Sequence, residues 1–134
     1  MDYNDILKLG LKAQKDETVT DKNVASAHGS GGIAVYGTPA MIGLMESTAL
    51  SAVDPLLPQG WCTVGTDLNV KHLSATPIGM KVWATAELLS VDGRALSFKV
   101  EAYDEAGKIG EGTHGRFIVE MEKFLARTMS KSSK

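Results

Sequence analysis

One run of residues limits the fold more than any other. Between Thr38 and Asp54-Pro55 the chain is built almost wholly of Pro, Ala, Met, Ile, Leu, Ser, Thr and Val, with one glycine, Gly43, and one charge, Glu46. Ala, Met and Leu are strong helix formers. Thr38 reads as the N-cap and Pro39 as the first helical position, where a missing N–H costs nothing. Asp54-Pro55 ends the run, because the residue before a proline avoids the helical region. The sequence thus predicts a helix over residues 40–53, about 24 Å from cap to end at ~1.5 Å per residue. It is apolar nearly all round and has to be buried, so the remaining residues must wrap it.

They carry the alternation of strands. Residues 11–23 read as a strand through Thr18, Val19 and Thr20. Residues 61–73 set Cys62, Val64, Leu68, Val70 and His72 on one face. Residues 80–91 align Val82, Ala84, Ala86 and Leu88, and residues 95–103 align Leu96, Phe98, Val100 and Ala102, with the turn signal Asp92-Gly93 between them. A second turn at 104–107 leads into a strand over residues 108–122, with Ile109, Phe117, Val119 and Met121 together. A short helical turn over 123–130 and a polar tail close the chain. Short turns imply antiparallel neighbours. The expected fold is α+β: an antiparallel five-stranded sheet wrapped around one long central helix, the hotdog arrangement, with residues 1–134 as a single domain. Two sheet edges stay open. Pairing two copies edge to edge would remove an aggregation-prone edge, so a homodimer, or a dimer of dimers, is expected.

Composition narrows the function classes. Of 134 residues, 43% are hydrophobic and 22% charged, and the net charge is −2, which argues against nucleic acid or an anionic membrane as partner. No run approaches the ~20 apolar residues of a membrane span. Cys62 has no cysteine to pair with, which fits a reducing cytoplasm. His28, His72 and His114 lie far apart, so neither a metal nor another cofactor is expected.

Few residues could carry chemistry. Glu46 is a carboxylate in an apolar helix, facing either water or a paired site. His72 falls on an apolar strand face, either as a satisfied structural residue or as a proton carrier. The Thr38 hydroxyl either caps the helix or holds a reacting group. Thr38 and Glu46 are separated by about 12 Å along the axis; a long substrate could bridge them, or two subunits could supply them to one site. His28-Gly-Ser-Gly-Gly32 is a flexible connection or the mouth of a site. His114 reads as a surface or interface residue and Cys62 as an inert core thiol.

The stretch from Val35 to Ala49, Val-Tyr-Gly-Thr-Pro-Ala-Met-Ile-Gly-Leu-Met-Glu-Ser-Thr-Ala, resembles the central helix of the fluoroacetyl-CoA thioesterase family. Val64-Gly-Thr-Asp-Leu-Asn-Val-Lys-His72 is similar to the strand that carries the family's histidine, and the likeness continues through Ala75-Thr-Pro-Ile-Gly79 and Thr113-His-Gly-Arg116. It covers residues 19–124. The resemblance implies hydrolysis of a small or medium acyl-CoA thioester to free acid and coenzyme A. It implies Thr38, Glu46 and His72 as catalytic residues, with Gly65 and Thr38 at the oxyanion and Arg116 and Lys71 near the coenzyme A groups. Glu46 would act as nucleophile or as base on water. Family members that select fluoroacetyl groups close the site with phenylalanines before the helix; residues 28–33 contain none, which points to a more open pocket.

Two rivals remain. A hotdog enoyl-thioester hydratase pairs an aspartate with a histidine a few residues away, but Asp67 and His72 fall on a predicted strand with Asp67 facing away. A non-catalytic acyl-CoA binding or sensing module would keep the cleft without the chemistry.

Overall fold

The computed structural model describes residues 2–29 and 31–132. Five strands, β1 (Lys12–Thr18), β2 (Trp61–His72), β3 (Lys81–Asp92), β4 (Ala95–Asp104) and β5 (Gly107–Glu120), form one antiparallel sheet in the order β1-β3-β4-β5-β2. Helix α1 (Thr38–Val53) lies mainly against β3, β1 and β4, and helix α2 (Met121–Met129) follows β5. Among the described residues no helix is long and apolar enough to cross a membrane.

The central strands follow their alternation. Val82, Ala84, Ala86 and Leu88 on β3 and Leu96, Phe98, Val100 and Ala102 on β4 are all buried against α1. The β3–β4 hairpin turns on Gly93-Arg94, with Gly93 at φ +61°, a backbone region open to glycine. The helix presents Met41, Leu44, Met45, Thr48, Ala49, Ala52 and Val53 to this floor.

Five expectations need correction. The first strand stops at Thr18, because Asn23 accepts from the Thr20 amide and donates to the Thr18 carbonyl, turning the chain. The helix is not buried all round: Pro39, Gly43 and Leu50 are exposed, since one sheet covers one side. Thr38 does not cap it: Gly37 is the N-cap and Thr38 the first helical residue. On β5 the inner face is Gly110, Gly112, His114, Arg116 and Ile118, whereas Phe117 and Met121 are 39% and 51% exposed. A register shift against β4 at Ala102/Tyr103 displaces Ile109 and reverses the expected face.

The fifth concerns β2. A register shift between Gly65 and Asp67 inserts Thr66 as an extra residue. Thr63 pairs with buried Ile118, and Gly65 with Arg116, so the odd residues face α1 before the bulge. Leu68 pairs with His114, Val70 with Gly112 and His72 with Gly110, so the even residues face α1 after it. Cys62 and Val64 therefore lie on the opposite face from Leu68, Val70 and His72.

Candidate active site

Two clusters of polar side chains lie along the inner face of β2. At its C-terminal end, Thr38 Oγ1 meets His72 Nδ1 at 2.7 Å. The hydroxyl is not used in capping, since Gly37 occupies the N-cap position. His72 Nε2 is shielded and has no hydrogen-bond partner among the described residues. Burial pushes the imidazole pKa below its ordinary value, and the backbone of Ser74 pulls against that shift. Beside the pair lies a cleft of about 290 Å³, lined by Ala25, Val35, Tyr36 and Ala75. The Tyr36 hydroxyl donates to Glu17 at 2.5 Å.

The second cluster surrounds Glu46. Its side chain is 41% exposed, and Oε2 stands 4.0 Å from Arg116 Nη1. Gly65 sits beneath: a Cβ there would lie 2.7 Å from Glu46 Oε2, 3.3 Å from His114 Cε1 and 3.5 Å from Arg116 Nη1. The close approach thus requires the absence of a side chain, not an unusual backbone angle.

Arg116 is buried and firmly held. Nε donates to Thr63 Oγ1 at 2.7 Å, Nη2 to the Thr63 carbonyl at 2.9 Å, and Nη1 lies 3.1 Å from His114 Nε2. Thr63 in turn donates to Asp54 Oδ1 at 2.6 Å. Burial works against the guanidinium charge, and the Asp54 and Glu46 carboxylates support it.

All of the expected site residues except Lys71 lie on the helix side of the sheet. Lys71 is exposed at the β2 edge. Thr38 and His72 are brought into contact, while Glu46 stands apart with Gly65 and Arg116. Arg116 is not an exposed, solvated residue, and His114, read from sequence as a surface or interface histidine, is 1% exposed and part of the Glu46 cluster. Sequence reasoning also passed over Thr63 and Asp54. The signal that would have found these residues is the bulge, which depends on pairing between β2 and β5. Cys62 lies on the outer face, and burial raises its thiol pKa, so little thiolate is present.

The profile of the fluoroacetyl-CoA-specific thioesterases matches residues 19–122. The chain belongs to that family. It is 45% identical over 98 residues to the fluoroacetyl-CoA thioesterase of Streptantibioticus cattleyicolor, covering 73% of this chain and 70% of that protein. A solved structure of a fluoroacetyl-CoA-specific thioesterase in complex with fluoroacetate and coenzyme A superposes with a TM-score of 0.82 at 36% identity, covering 87% of this chain and 98% of that one. A hot-dog-like protein from Thermanaerovibrio acidaminovorans is 22% identical with a TM-score of 0.89, covering 98% and 97%, and supports the fold alone. The hotdog fold read from the sequence is the fold of this thioesterase family.

Proposed function

We propose that this protein hydrolyses small or medium acyl-CoA thioesters at sites shared between the two copies of a homodimer. Membership in the thioesterase family makes it a thioester hydrolase. The observation that carries the shared site is the separation of Thr38–His72 from Glu46 along β2, an edge strand of the sheet. Antiparallel pairing of β2 with its copy carries the Trp61 half of one strand past the His72 half of the other. The partner's Thr38 and the partner's His72 would then approach Glu46 across the edge, removing the ~12 Å gap along one helix.

In this reading Glu46 takes the proton of a water that attacks the carbonyl carbon, or attacks that carbon itself to give an anhydride that water opens. Either route breaks the C–S bond and yields free acid and coenzyme A. The developing oxyanion would lie near Gly65 and the N-terminus of the partner's α1, whose amides carry partial positive charge. Burial favours neutral His72 at pH 7. Thr38 O–H donating to Nδ1 would leave Nε2–H to hydrogen-bond the reacting oxygen. Arg116 would border the thioester end of the coenzyme, and exposed Lys71 would meet its phosphates. The 290 Å³ cleft suits a small or medium acyl group. A cytoplasmic supply of acyl-CoA completes the reading.

Free-thiol release from a panel of acyl-CoAs, acetyl and fluoroacetyl to longer and aromatic chains, tests the activity; release from none would leave an acyl-CoA binding module. Co-expression of Glu46→Ala and His72→Ala chains tests the shared site. Each is expected to be inactive alone, while their mixture regains about a quarter of wild-type activity, since half the dimers are hybrid and each holds one intact site. No recovery in purified hybrids would place the site within one chain.

A further inference from the structure

We propose that His114 is a positioning residue of the thioester site: its imidazole ties the carbonyl at the β2 bulge to Arg116 and holds that guanidinium short of Glu46. The inference rests on the reading of Glu46 as the reacting carboxylate and adds to it a histidine that reads in the sequence as a surface or interface residue.

Two contacts fix the tautomer. Arg116 Nη1 lies 3.1 Å from His114 Nε2, and a guanidinium only donates. Nε2 therefore accepts and carries no proton. His114 Nδ1 lies 2.9 Å from the Asp67 carbonyl, which only accepts, so Nδ1 carries the proton. A protonated imidazolium would turn an N–H against the guanidinium. The ring is 1% exposed and lies 6.3 Å from Phe98, which leaves it no alternative partner in water.

The contacts also decide where the arginine charge rests. Nε and Nη2 are anchored on Thr63, and the Nη1 end is shared between His114 at 3.1 Å and Glu46 at 4.0 Å. Loss of the histidine acceptor leaves a buried N–H unpaired, and the Glu46 carboxylate stands 4.0 Å from that nitrogen. The guanidinium would then close on Glu46 and occupy the lone pair the reaction needs. His114 holds Nη1 at its own nitrogen and so keeps the guanidinium short of the carboxylate. Through its other nitrogen it holds the Asp67 carbonyl, two residues from Gly65. One ring thus steadies both the guanidinium and the strand beneath the reacting groups.

His114→Phe keeps an aromatic ring and removes both nitrogens, whereas His114→Gln keeps a carbonyl oxygen able to accept from Arg116. His114→Phe is expected to lower kcat about 10- to 100-fold with KM changed less than about threefold, as for a misplaced reacting group. His114→Gln is expected to restore most of kcat. Nitrogen NMR of the wild-type imidazole is expected to show the proton on Nδ1 and none on Nε2. Wild-type kcat in His114→Phe would overturn the role, as would a Gln variant as poor as the Phe variant at equal melting temperature. A ring protonated at Nε2 would overturn the tautomer on which it rests. A wild-type chain that released no thiol from any acyl-CoA would overturn the thioesterase reading and the positioning role together, while the nitrogen spectrum still decided the hydrogen bonds.

Discussion

Gly65→Ala separates the site from the fold more cleanly than the removal of any functional side chain. The added methyl would stand 2.7 Å from Glu46 Oε2. Ordinary contact begins near 3.4 Å, so the carboxylate oxygen has to retreat by about 0.7 Å. Glu46 can retreat: its side chain is 41% exposed and the clash is with its far end. The neighbouring contact, 3.3 Å to His114 Cε1, needs only a small adjustment. Alanine also lowers the entropy cost of glycine in a strand by roughly 0.5–1 kcal/mol. The two effects offset, and stability is expected to stay within about 1 kcal/mol of wild type, a few degrees in melting temperature.

Catalysis has no such offset. A misplacement of about 1 Å costs on the order of 10²-fold in rate, so a retreat of this size should cost about 10- to 100-fold, or ~1.4–2.7 kcal/mol of transition-state stabilisation. The assay is thiol release under saturating and limiting acyl-CoA, run beside a thermal melt of the same preparation. The expected pattern is a loss carried mostly by kcat, with a near-wild-type melt. Wild-type turnover in Gly65→Ala would show that the oxygen beside Gly65 is not the reacting one. A large loss of stability with kcat intact would show that the space is structural.

Two further outcomes follow from the same contacts. Burial lowers the His72 pKa, so the neutral ring persists to lower pH; if neutral His72 is required, the acid limb of kcat/KM should inflect below the ordinary histidine value of 6.5, and an inflection at or above it between about pH 4.5 and 8 would contradict the assignment. Thr63→Val removes the hydroxyl that accepts from Arg116 and donates to Asp54, leaving the buried guanidinium and the half-buried carboxylate each short of a partner; it should cost roughly 1–3 kcal/mol in urea unfolding, and a loss under about 0.5 kcal/mol would show that Thr63 does not hold the arginine.

The sequence made the hydrophobic framework legible because helix and strand periods are local. The apolar run ending at Asp54-Pro55, the alternating faces of β3 and β4 and the turn after Asp92 depend on neighbours a few residues away, and each appears as read. Glu46, His72 and Thr38 stood out as polar residues on apolar elements. What failed was parity on β2 and β5, where one extra residue sets which side of the sheet a whole half-strand faces. Periodicity cannot show such an insertion, because the register is decided by the paired strand. Cys62 and Val64 were placed inside for that reason, and His114 and Arg116 were left without their buried setting. The capping role of Thr38 failed for a related reason: the helix begins one residue earlier, and the hydroxyl goes to a histidine 34 residues along the chain.

The same insertion ties the fold to the site. Gly65 and His72 are seven residues apart on β2, an odd separation, so in a regular strand they would face opposite sides of the sheet. A strand with Gly65 under Glu46 would turn His72 out to solvent, and one with His72 against Thr38 would turn a side-chain position away from Glu46. The bulge at Thr66 reverses parity between them and brings both to the helix side. The Asp67 carbonyl just beyond it is held by His114, whose other nitrogen meets Arg116 opposite Glu46. The irregularity that defeats periodic reading is therefore the feature that puts both halves of the site on one surface. Its histidine clamp connects that surface to the charge beside the carboxylate.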